Sequence, residues 1–306
     1  MKLATTTNDF DRFCPTYTER LQNVCQAGFR YVDLSLYTAA PGDALLISED
    51  WREEVNRLQE VADRLGATFV QAHSPGGNAL GPDPAKRDLL LRRTIRSIEV
   101  CAALGIPHTV VHAGFEKFIG KEEFFEKNKA FFEQLYPVIE KTGVNVLVEN
   151  GTRVNMGPNG EYFYTGQDMV DFLRYLDHPQ IHACWDTGHA NAEGSQYDEI
   201  LAMRKELCAL HVNDNREKQD EHLIPYFGTL NLDDLMHGLI DSGYRGYFTF
   251  ECGSVLRSSK YWLGNRHSFE ADTRLAEPTL SMQQRLEALL YEIGVHILTT
   301  YECLEQ

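Results

Sequence analysis

The chain has 306 residues, of which 43% are hydrophobic and 24% are charged, and this composition is typical of a folded globular protein rather than a disordered one. Its formal net charge of −16 disfavours nucleic acid as a partner, because nonspecific binding to nucleic acids depends on Lys and Arg side chains that neutralise phosphates. No apolar run approaches the roughly 20 residues that span a bilayer, and residues 1–10 lack the basic start and apolar core of a signal peptide, so a cytoplasmic protein is expected.

Short apolar or β-branched runs alternate along the chain with longer amphipathic stretches, which is the pattern of βα units. The predicted strands cover residues 2–7, 31–36, 68–74, 108–114, 145–151, 182–189, 208–214 and 247–253. The helical patterns at residues 49–66 and 84–105 both end in Gly, which favours the left-handed turn that ends a helix. Eight strands, each followed by a helix, predict a single (β/α)₈ TIM barrel domain over residues 1–306.

The stretch after the eighth strand, residues 255–280, is too long and too mixed in character for a simple loop. It precedes the last helical pattern, at residues 281–304. Long connections of this kind usually carry function. We expect this insertion to cover the barrel mouth or to contact a neighbouring subunit of a homo-oligomer.

The predicted strands end in residue types that bind metals. In chain order these are His73, His112, Glu149, Asp186 with His189, His211 and Glu251, and the loop after the seventh strand adds Asp220 and His222. A single His or Glu at a strand end is more often hydrogen-bonded or solvated than a ligand. In a TIM barrel, however, all strand ends meet at one mouth, where unpaired carboxylates are costly unless a cation neutralises them.

The strand-end residues Glu149, Asp186, His211 and Glu251 form an oxygen-rich set with one imidazole. Such a set suits Mn²⁺, Mg²⁺, Co²⁺ or Zn²⁺ and leaves room for substrate oxygens. The sequence therefore predicts one divalent metal ion as cofactor, with up to three Zn²⁺ as the alternative.

The segments VLVEN, CWDTGHA, HVNDN and FTFECG resemble the motifs of the xylose-isomerase-like TIM barrel superfamily. This superfamily contains sugar and sugar-phosphate isomerases and epimerases, and also endonuclease IV-type apurinic endonucleases. The resemblance implies that Glu149, Asp186, His211 and Glu251 hold one metal, and that Glu149 and Glu251 are the catalytic acid–base pair. The metal would stabilise an enediolate while a carboxylate takes the proton from the carbon beside the carbonyl.

The resemblance also implies roles for other strand-end residues, with two departures from the usual epimerase pattern. His73, His112, His189, Asp220 and His222 would contact substrate or bind additional metal, and Asp33 and Arg216 are weaker candidates for substrate binding. Ketose 3-epimerases usually carry a second Glu shortly after the strand-five Glu, where this chain offers Arg153 or Asn155. They also tend to carry an Arg after the strand-seven His, and Arg216 does not clearly match that position.

The main alternative is an endonuclease IV-type phosphodiesterase, in which nine residues bind three Zn²⁺. The matching positions are His73, His112, Glu149, Asp186, His189, His211, Asp220, His222 and Glu251. The loops at residues 74–84, 114–124 and 155–164 are neutral, mixed or glycine-rich instead of basic. We interpret them as a lid over a small polyol, whose apolar walls would be Phe115, Phe118, Tyr162 and Tyr164.

Other outcomes stay open on the sequence alone. The same metal and base would serve a keto-inositol-type dehydratase, and the barrel could bind a ligand without turnover. Neither a P-loop-like motif nor a basic clamp indicates whether the substrate carries a phosphate. The favoured interpretation is a metal-dependent sugar or sugar-phosphate isomerase or epimerase that acts on a small carbohydrate.

Overall fold

The computed structural model describes residues 1–38, 43–156, 162–194, 196–253, 255–257 and 276–305, without the side chains of residues 155 and 156. Its strands are β1 Lys2–Thr6, β2 Tyr31–Ser35, β3 Thr68–His73, β4 His108–Val111, β5 Asn145–Glu149, β6 Ile181–Asp186, β7 Leu207–His211 and β8 Tyr247–Phe250. All neighbouring strands pair in parallel, in the order β7-β6-β5-β4-β3-β2-β1-β8. Just past the end of β7, the Val212 amide donates to the carbonyl of Thr249 in β8 at 2.7 Å, which brings the two edges of the sheet together. The predicted (β/α)₈ barrel is confirmed.

The helices alternate with these strands. They are α1 Tyr17–Ala27, α2 Trp51–Leu65, α3 Pro84–Leu104, α4 Lys121–Phe132, α5 Tyr136–Thr142, α6 Arg153–Met156, α7 Gly166–Leu176, α8 Thr187–Asn191, α9 Tyr197–Met203, α10 Leu232–Ser242 and α11 Leu280–Thr300. The predicted ends of α2 and α3 are confirmed, because Gly66 and Gly105 adopt left-handed backbone angles and their amides bond to the last helical turn. Helix α3 begins at Pro84, as its sequence predicts. The side chain of Asp83, just before the helix, accepts hydrogen bonds from the backbone amides of Ala85 and Lys86.

The inner face of the strands changes from apolar to polar toward the carboxyl end of the barrel. Four buried interior residues form a small apolar cluster: Val110, Leu147, Cys184 and Ala209. Each stands two positions before a predicted site residue, namely His112, Glu149, Asp186 and His211. Because side chains two apart on a strand share a face, these polar groups stand directly above an apolar floor.

Most of the predicted insertion after β8, residues 258–275, lies outside the described residues, so its role at the mouth or between subunits stays a prediction. The single-domain prediction is likewise untested. Within the described segments, every helix falls short of the combined length and hydrophobicity that crossing a membrane requires.

Two buried carboxyl groups lie where α11 packs against the 3₁₀ turn Thr7–Phe10: Glu287 of the helix and Asp9 of the turn. Glu287 accepts a hydrogen bond from the Thr5 hydroxyl at 3.0 Å and is almost fully buried, as is Asp9. Burial raises the pKa of Glu287 to about 7. Burial, together with the neighbouring charge of Glu287, also raises the pKa of Asp9 well above its usual value. The folded chain therefore holds a proton here that the unfolded chain releases.

This pair predicts that the protein loses stability as the pH rises. A group whose pKa is raised in the folded state contributes its full stability below its unfolded pKa, and that contribution is lost as the pH rises through the folded value. The free energy of unfolding should therefore decline between about pH 5 and pH 7, by up to about 1.4 kcal/mol per pH unit for one proton. Urea unfolding at several pH values should show a shallower decline in Glu287→Gln.

The control for this measurement is Glu292→Gln, which removes an exposed carboxyl group from the same helix. This variant should keep the pH dependence of the wild type. Identical slopes for wild type and Glu287→Gln would show that the pair binds no extra proton.

Candidate active site and metal centre

The mouth of the barrel opens into a cavity of about 550 Å³ at the carboxyl ends of the strands. Of the predicted site residues, His73, His112, Glu149, His189, Asp220, His222 and Glu251 line this cavity. Asp186 and His211 are fully buried and contribute ligand atoms within 4.8 Å of those of Glu149 and Glu251. The structure thus brings together all nine ligand-type residues that the sequence singles out.

The central group consists of Glu149, Asp186, His211 and Glu251. Each offers one ligand atom, and these four atoms lie within 4.8 Å of one another. Nδ1 of His211 is 2.8 Å from Oε1 of Glu149 and 3.5 Å from Oε2 of Glu251. Three carboxylates around one imidazole make the donor set that hard and borderline divalent cations prefer.

The two ring nitrogens of His211 both face carboxylates. Nδ1 points at Glu149, while Nε2 lies 3.4 Å from Oδ2 of Asp33. A neutral imidazole carries one proton, so one nitrogen would direct its lone pair at a negative oxygen. Burial opposes protonation, yet the surrounding acidic groups raise the pKa of His211 well above its usual value. A cation at Nδ1 removes the same repulsion, so the residues present fit a divalent metal.

Glu149 and Asp186 have pKa shifts in opposite directions. Burial opposes ionisation of Glu149, but the imidazoles of His211 and His112 outweigh it and hold the pKa of Glu149 well below its usual range. Burial dominates at Asp186 and raises its pKa to about 6, although His189 and His222 lower it. Glu149 is therefore ionised at neutral pH, as both a ligand and a base require.

Residues that the sequence analysis did not single out hold Asp186 in place. Nδ2 of Asn213 donates to Oδ2 of Asp186 at 2.8 Å, and the Asn150 side chain bonds both the amide and the carbonyl of Asp186. A Cβ on Gly188 would lie 1.9 Å from Oδ1 of Asn213, so this position requires glycine. Asn150, Gly188 and Asn213 belong to the segments VEN, DTGH and HVND and come one or two residues after strand ends. This position was the sequence signal that could have identified them.

A second group of ligand types lies beside the first. Asp220 stands between two imidazoles. Its Oδ2 lies 3.3 Å from Nε2 of His189, and its Oδ1 lies 3.1 Å from Nε2 of His222. Asp186, His189 and His222 also offer ligand atoms within 4.8 Å of one another. This group could hold a further cation.

A third group forms on the other side of Glu149. His73, Glu149 and His211 offer ligand atoms within 4.8 Å of one another, and Nε2 of His112 lies 2.6 Å from Oε2 of Glu149. Tyr37, which the sequence analysis missed, lines the cavity here, with its ring 5.0 Å from that of His73. It follows β2 by two residues, and its place after a strand end was the only sequence signal.

Backbone carbonyls fix the orientation of three histidines around the cavity. Nδ1 of His73 donates to the Ser74 carbonyl at 2.8 Å, Nδ1 of His189 donates to the Asn150 carbonyl at 2.7 Å, and Nδ1 of His222 donates to the Glu251 carbonyl at 3.0 Å. Because a carbonyl only accepts, each ring keeps its proton on Nδ1 and directs Nε2 toward the neighbouring ligand types.

The weaker sequence candidates lie elsewhere. The Arg216 side chain is 60% exposed and pairs with Glu221 at 2.7 Å, so the structure does not bring it into the cavity. Asp33 is buried beneath the central group and does not line the cavity. Of the predicted aromatic walls, Phe115 lines the cavity, whereas Phe118 is 81% exposed.

Replacing Asp186 should weaken metal binding. Asp186→Asn removes a charged ligand and keeps the shape of the side chain. Metal affinity typically falls about 10–100-fold when a residue that orients a ligand is changed, and the loss in Asp186→Asn should be larger. Calorimetric titration of metal-free protein with Mn²⁺ or Zn²⁺ measures this. Asp88→Asn, on the exposed side of α3, is the control and should bind like wild type. Equal affinities in all three proteins would rule out Asp186 as a ligand.

A family model described as a xylose isomerase-like TIM barrel matches residues 21–267. A D-psicose 3-epimerase from Ruminiclostridium cellulolyticum is 25% identical over 225 residues, which cover 68% of this chain and 73% of that protein. A probable endonuclease 4 from Citrifermentans bemidjiense is 28% identical over 165 residues, which cover 47% of this chain and 56% of that protein. The solved structure of D-psicose 3-epimerase with D-tagatose from Clostridium cellulolyticum H10 has a TM-score of 0.73 and 19% identity, over 97% of this chain and 99% of that chain, which establishes likeness of fold.

Proposed function

This chain belongs to the xylose isomerase-like TIM barrel family, and on that premise we propose that it is a divalent-metal-dependent isomerase or epimerase of a small carbohydrate. The observation that carries the proposal is the central group of Glu149, Asp186, His211 and Glu251 at the mouth of the barrel. Two of its members, Glu149 and Glu251, also line the cavity, where they can reach a bound substrate.

The proposed chemistry is proton transfer at a carbon beside a carbonyl. A divalent cation in the central group would draw charge from adjacent substrate oxygens and so acidify that carbon. Glu149, which the imidazoles hold ionised, accepts or returns the proton. Glu149 ends β5, and Glu251 follows β8, which is three strands away around the barrel. The two carboxylates therefore approach a substrate in the cavity from different directions. Epimerisation uses both, whereas an aldose–ketose shift requires one.

The cavity favours an uncharged sugar over a sugar phosphate. Among its described lining residues are the carboxylates of Glu149, Asp220 and Glu251, and none of these residues is Lys or Arg. An anionic phosphate would therefore enter a negatively charged cavity. Two basic side chains outside the cavity lining are engaged with acidic or carbonyl groups, since Lys121 pairs with Asp168 at 2.8 Å and Arg257 donates to the Glu221 carbonyl.

Removing either acid–base carboxylate should stop turnover without unfolding the protein. Glu149→Gln and Glu251→Gln keep the volume of the side chain and remove its capacity to accept a proton, so the rate should fall by about 10²–10⁴-fold. The measurement is exchange of the substrate C–H proton with deuterium from heavy water, followed by NMR on a panel of free ketoses. Glu116→Gln, at an exposed glutamate outside the cavity lining, is the matched control.

The mass of the product separates the related reactions. An isomerase or epimerase gives a product of the same mass as the substrate, whereas a dehydratase gives one that is lighter by one water. Unimpaired exchange in both Gln variants would overturn the acid–base assignment.

The second and third ligand groups favour one alternative function. His73, His189 and His222 direct Nε2 atoms toward carboxylates, as residues that hold additional Zn²⁺ would. Three clustered Zn²⁺ activate hydroxide for phosphodiester cleavage. The probable endonuclease 4 of C. bemidjiense is a relative by sequence.

The metal content of the protein distinguishes the two functions. We expect about one divalent ion per chain in protein purified without chelator and measured by elemental mass spectrometry. Three Zn²⁺ per chain together with cleavage of an oligonucleotide that contains an abasic site would contradict the carbohydrate proposal.

A further inference from the structure

A chain of four buried polar side chains lies beneath the central group. The Thr249 hydroxyl on β8 donates to Oε1 of Gln71 on β3 at 3.0 Å, and Nε2 of Gln71 donates to Oδ2 of Asp33 on β2 at 2.8 Å. The same oxygen of Asp33 lies 3.4 Å from Nε2 of His211 on β7. All four residues are at most 2% exposed, so none of them contacts solvent directly.

We propose that Asp33 is a positioning residue that keeps the proton of His211 on Nε2 and leaves Nδ1 free as the ligand atom. This inference rests on the proposed function, because it assumes that His211 binds a metal. It gives Asp33, Gln71 and Thr249 one shared role, which is to orient a single ligand.

The orientation of the Gln71 amide follows from its neighbours. Its Nε2 also faces the Leu210 carbonyl at 3.4 Å, which can only accept, and its Oε1 receives the Thr249 hydroxyl. The amide N–H therefore points at Asp33. Nε2 of Gln71 thus bridges the Asp33 carboxylate and the Leu210 carbonyl of β7, and these two contacts hold the carboxylate at a fixed distance from β7.

Nε2 of His211 lacks a hydrogen-bond partner and faces the carboxylate of Asp33. Oδ1 of Asp33 and Nε2 of His211 are buried atoms without a hydrogen-bond partner. The carboxylate oxygen that faces Nε2 is Oδ2 of Asp33, at 3.4 Å, and it also accepts from Gln71. An N–H on Nε2 would therefore have this oxygen as its acceptor. On the opposite side of the ring, Nδ1 lies 2.8 Å from Glu149 and 3.5 Å from Glu251, within the central group.

His211 differs in this respect from the three histidines whose Nδ1 atoms donate to backbone carbonyls. Its outer partner is a side-chain carboxylate, which raises the basicity of the ligand atom more than a neutral carbonyl does. The ring of His73 stacks on that of His211 at 5.3 Å with an interplanar angle of 11°, so the plane of the ring is fixed as well.

The principal test is metal binding by Asp33→Asn. Zn²⁺ added to metal-free protein in the presence of a competing chelator should bind about 10–100-fold more weakly than in wild type. In Zn²⁺-loaded protein with ¹⁵N-labelled histidine, the spectrum of wild type should show His211 with its proton on Nε2 and with Nδ1 as ligand. The Nε2–H resonance should move in the variant, because its acceptor is no longer charged.

A matched pair of milder variants keeps the test decisive if Asp33→Asn does not fold. Thr249→Val removes the hydroxyl that holds Gln71, and Thr109→Val removes a buried hydroxyl on β4 that bonds Ser74 instead. Thr249→Val should weaken Zn²⁺ binding and shift the His211 signals, whereas Thr109→Val should do neither.

The failures of the two proposals are distinguishable. If the wild type binds no divalent ion, the proposed function fails, and this inference fails with it. If the wild type binds Zn²⁺ through His211 but Asp33→Asn or Thr249→Val keeps the same affinity and the same His211 signals, only the role of Asp33 is overturned. Equal losses in Thr249→Val and Thr109→Val would also overturn it, because a general loss of packing would then explain both.

Discussion

The concentration of carboxylates at the mouth of the barrel is the constraint on which the rest of this site depends. Glu149, Asp186 and Glu251 bring three acidic groups within a few ångströms of one imidazole, on a floor of apolar side chains. Buried like charges repel each other strongly in such surroundings. A counter-charge is therefore part of the design of the site, and the burial that raises the pKa of Asp186 also increases the benefit of neutralising it.

The sequence predicted the strands and the ligand types because both follow from simple geometry. Strands of a parallel barrel all end at one mouth, so polar residues that close apolar runs meet there without any knowledge of the loops. What the sequence could not provide was the relation between side chains of different strands. The contact between Asp33 and His211 joins residues far apart in the chain, and only the register of the barrel shows that they face each other.

The loops were also hard to predict, for a different physical reason. Arg216 had a plausible position for gripping a substrate, yet it pairs with Glu221, five residues further along the same loop. Local ion pairs of this kind compete with any role in a site, and hydrophobic periodicity carries no information about them. Tyr37 was missed because an aromatic residue after a strand is usually core packing, whereas here its ring stands beside His73 at the wall of the cavity.

The balance of charge distinguishes the central group from the group around Asp220. His222 and His189 hold the pKa of Asp220 below its usual range despite burial, and Asp220 in turn raises the pKa of His222 to about 10. One carboxylate between two imidazoles can thus be neutralised by protons alone. In the central group, protonation of His211 still leaves more carboxylates than cations. The central group consequently has the stronger need for a metal ion, whereas the outer residues can serve a substrate as hydrogen-bond partners without one. For this reason the same nine ligand-type residues are compatible with a single-metal carbohydrate enzyme.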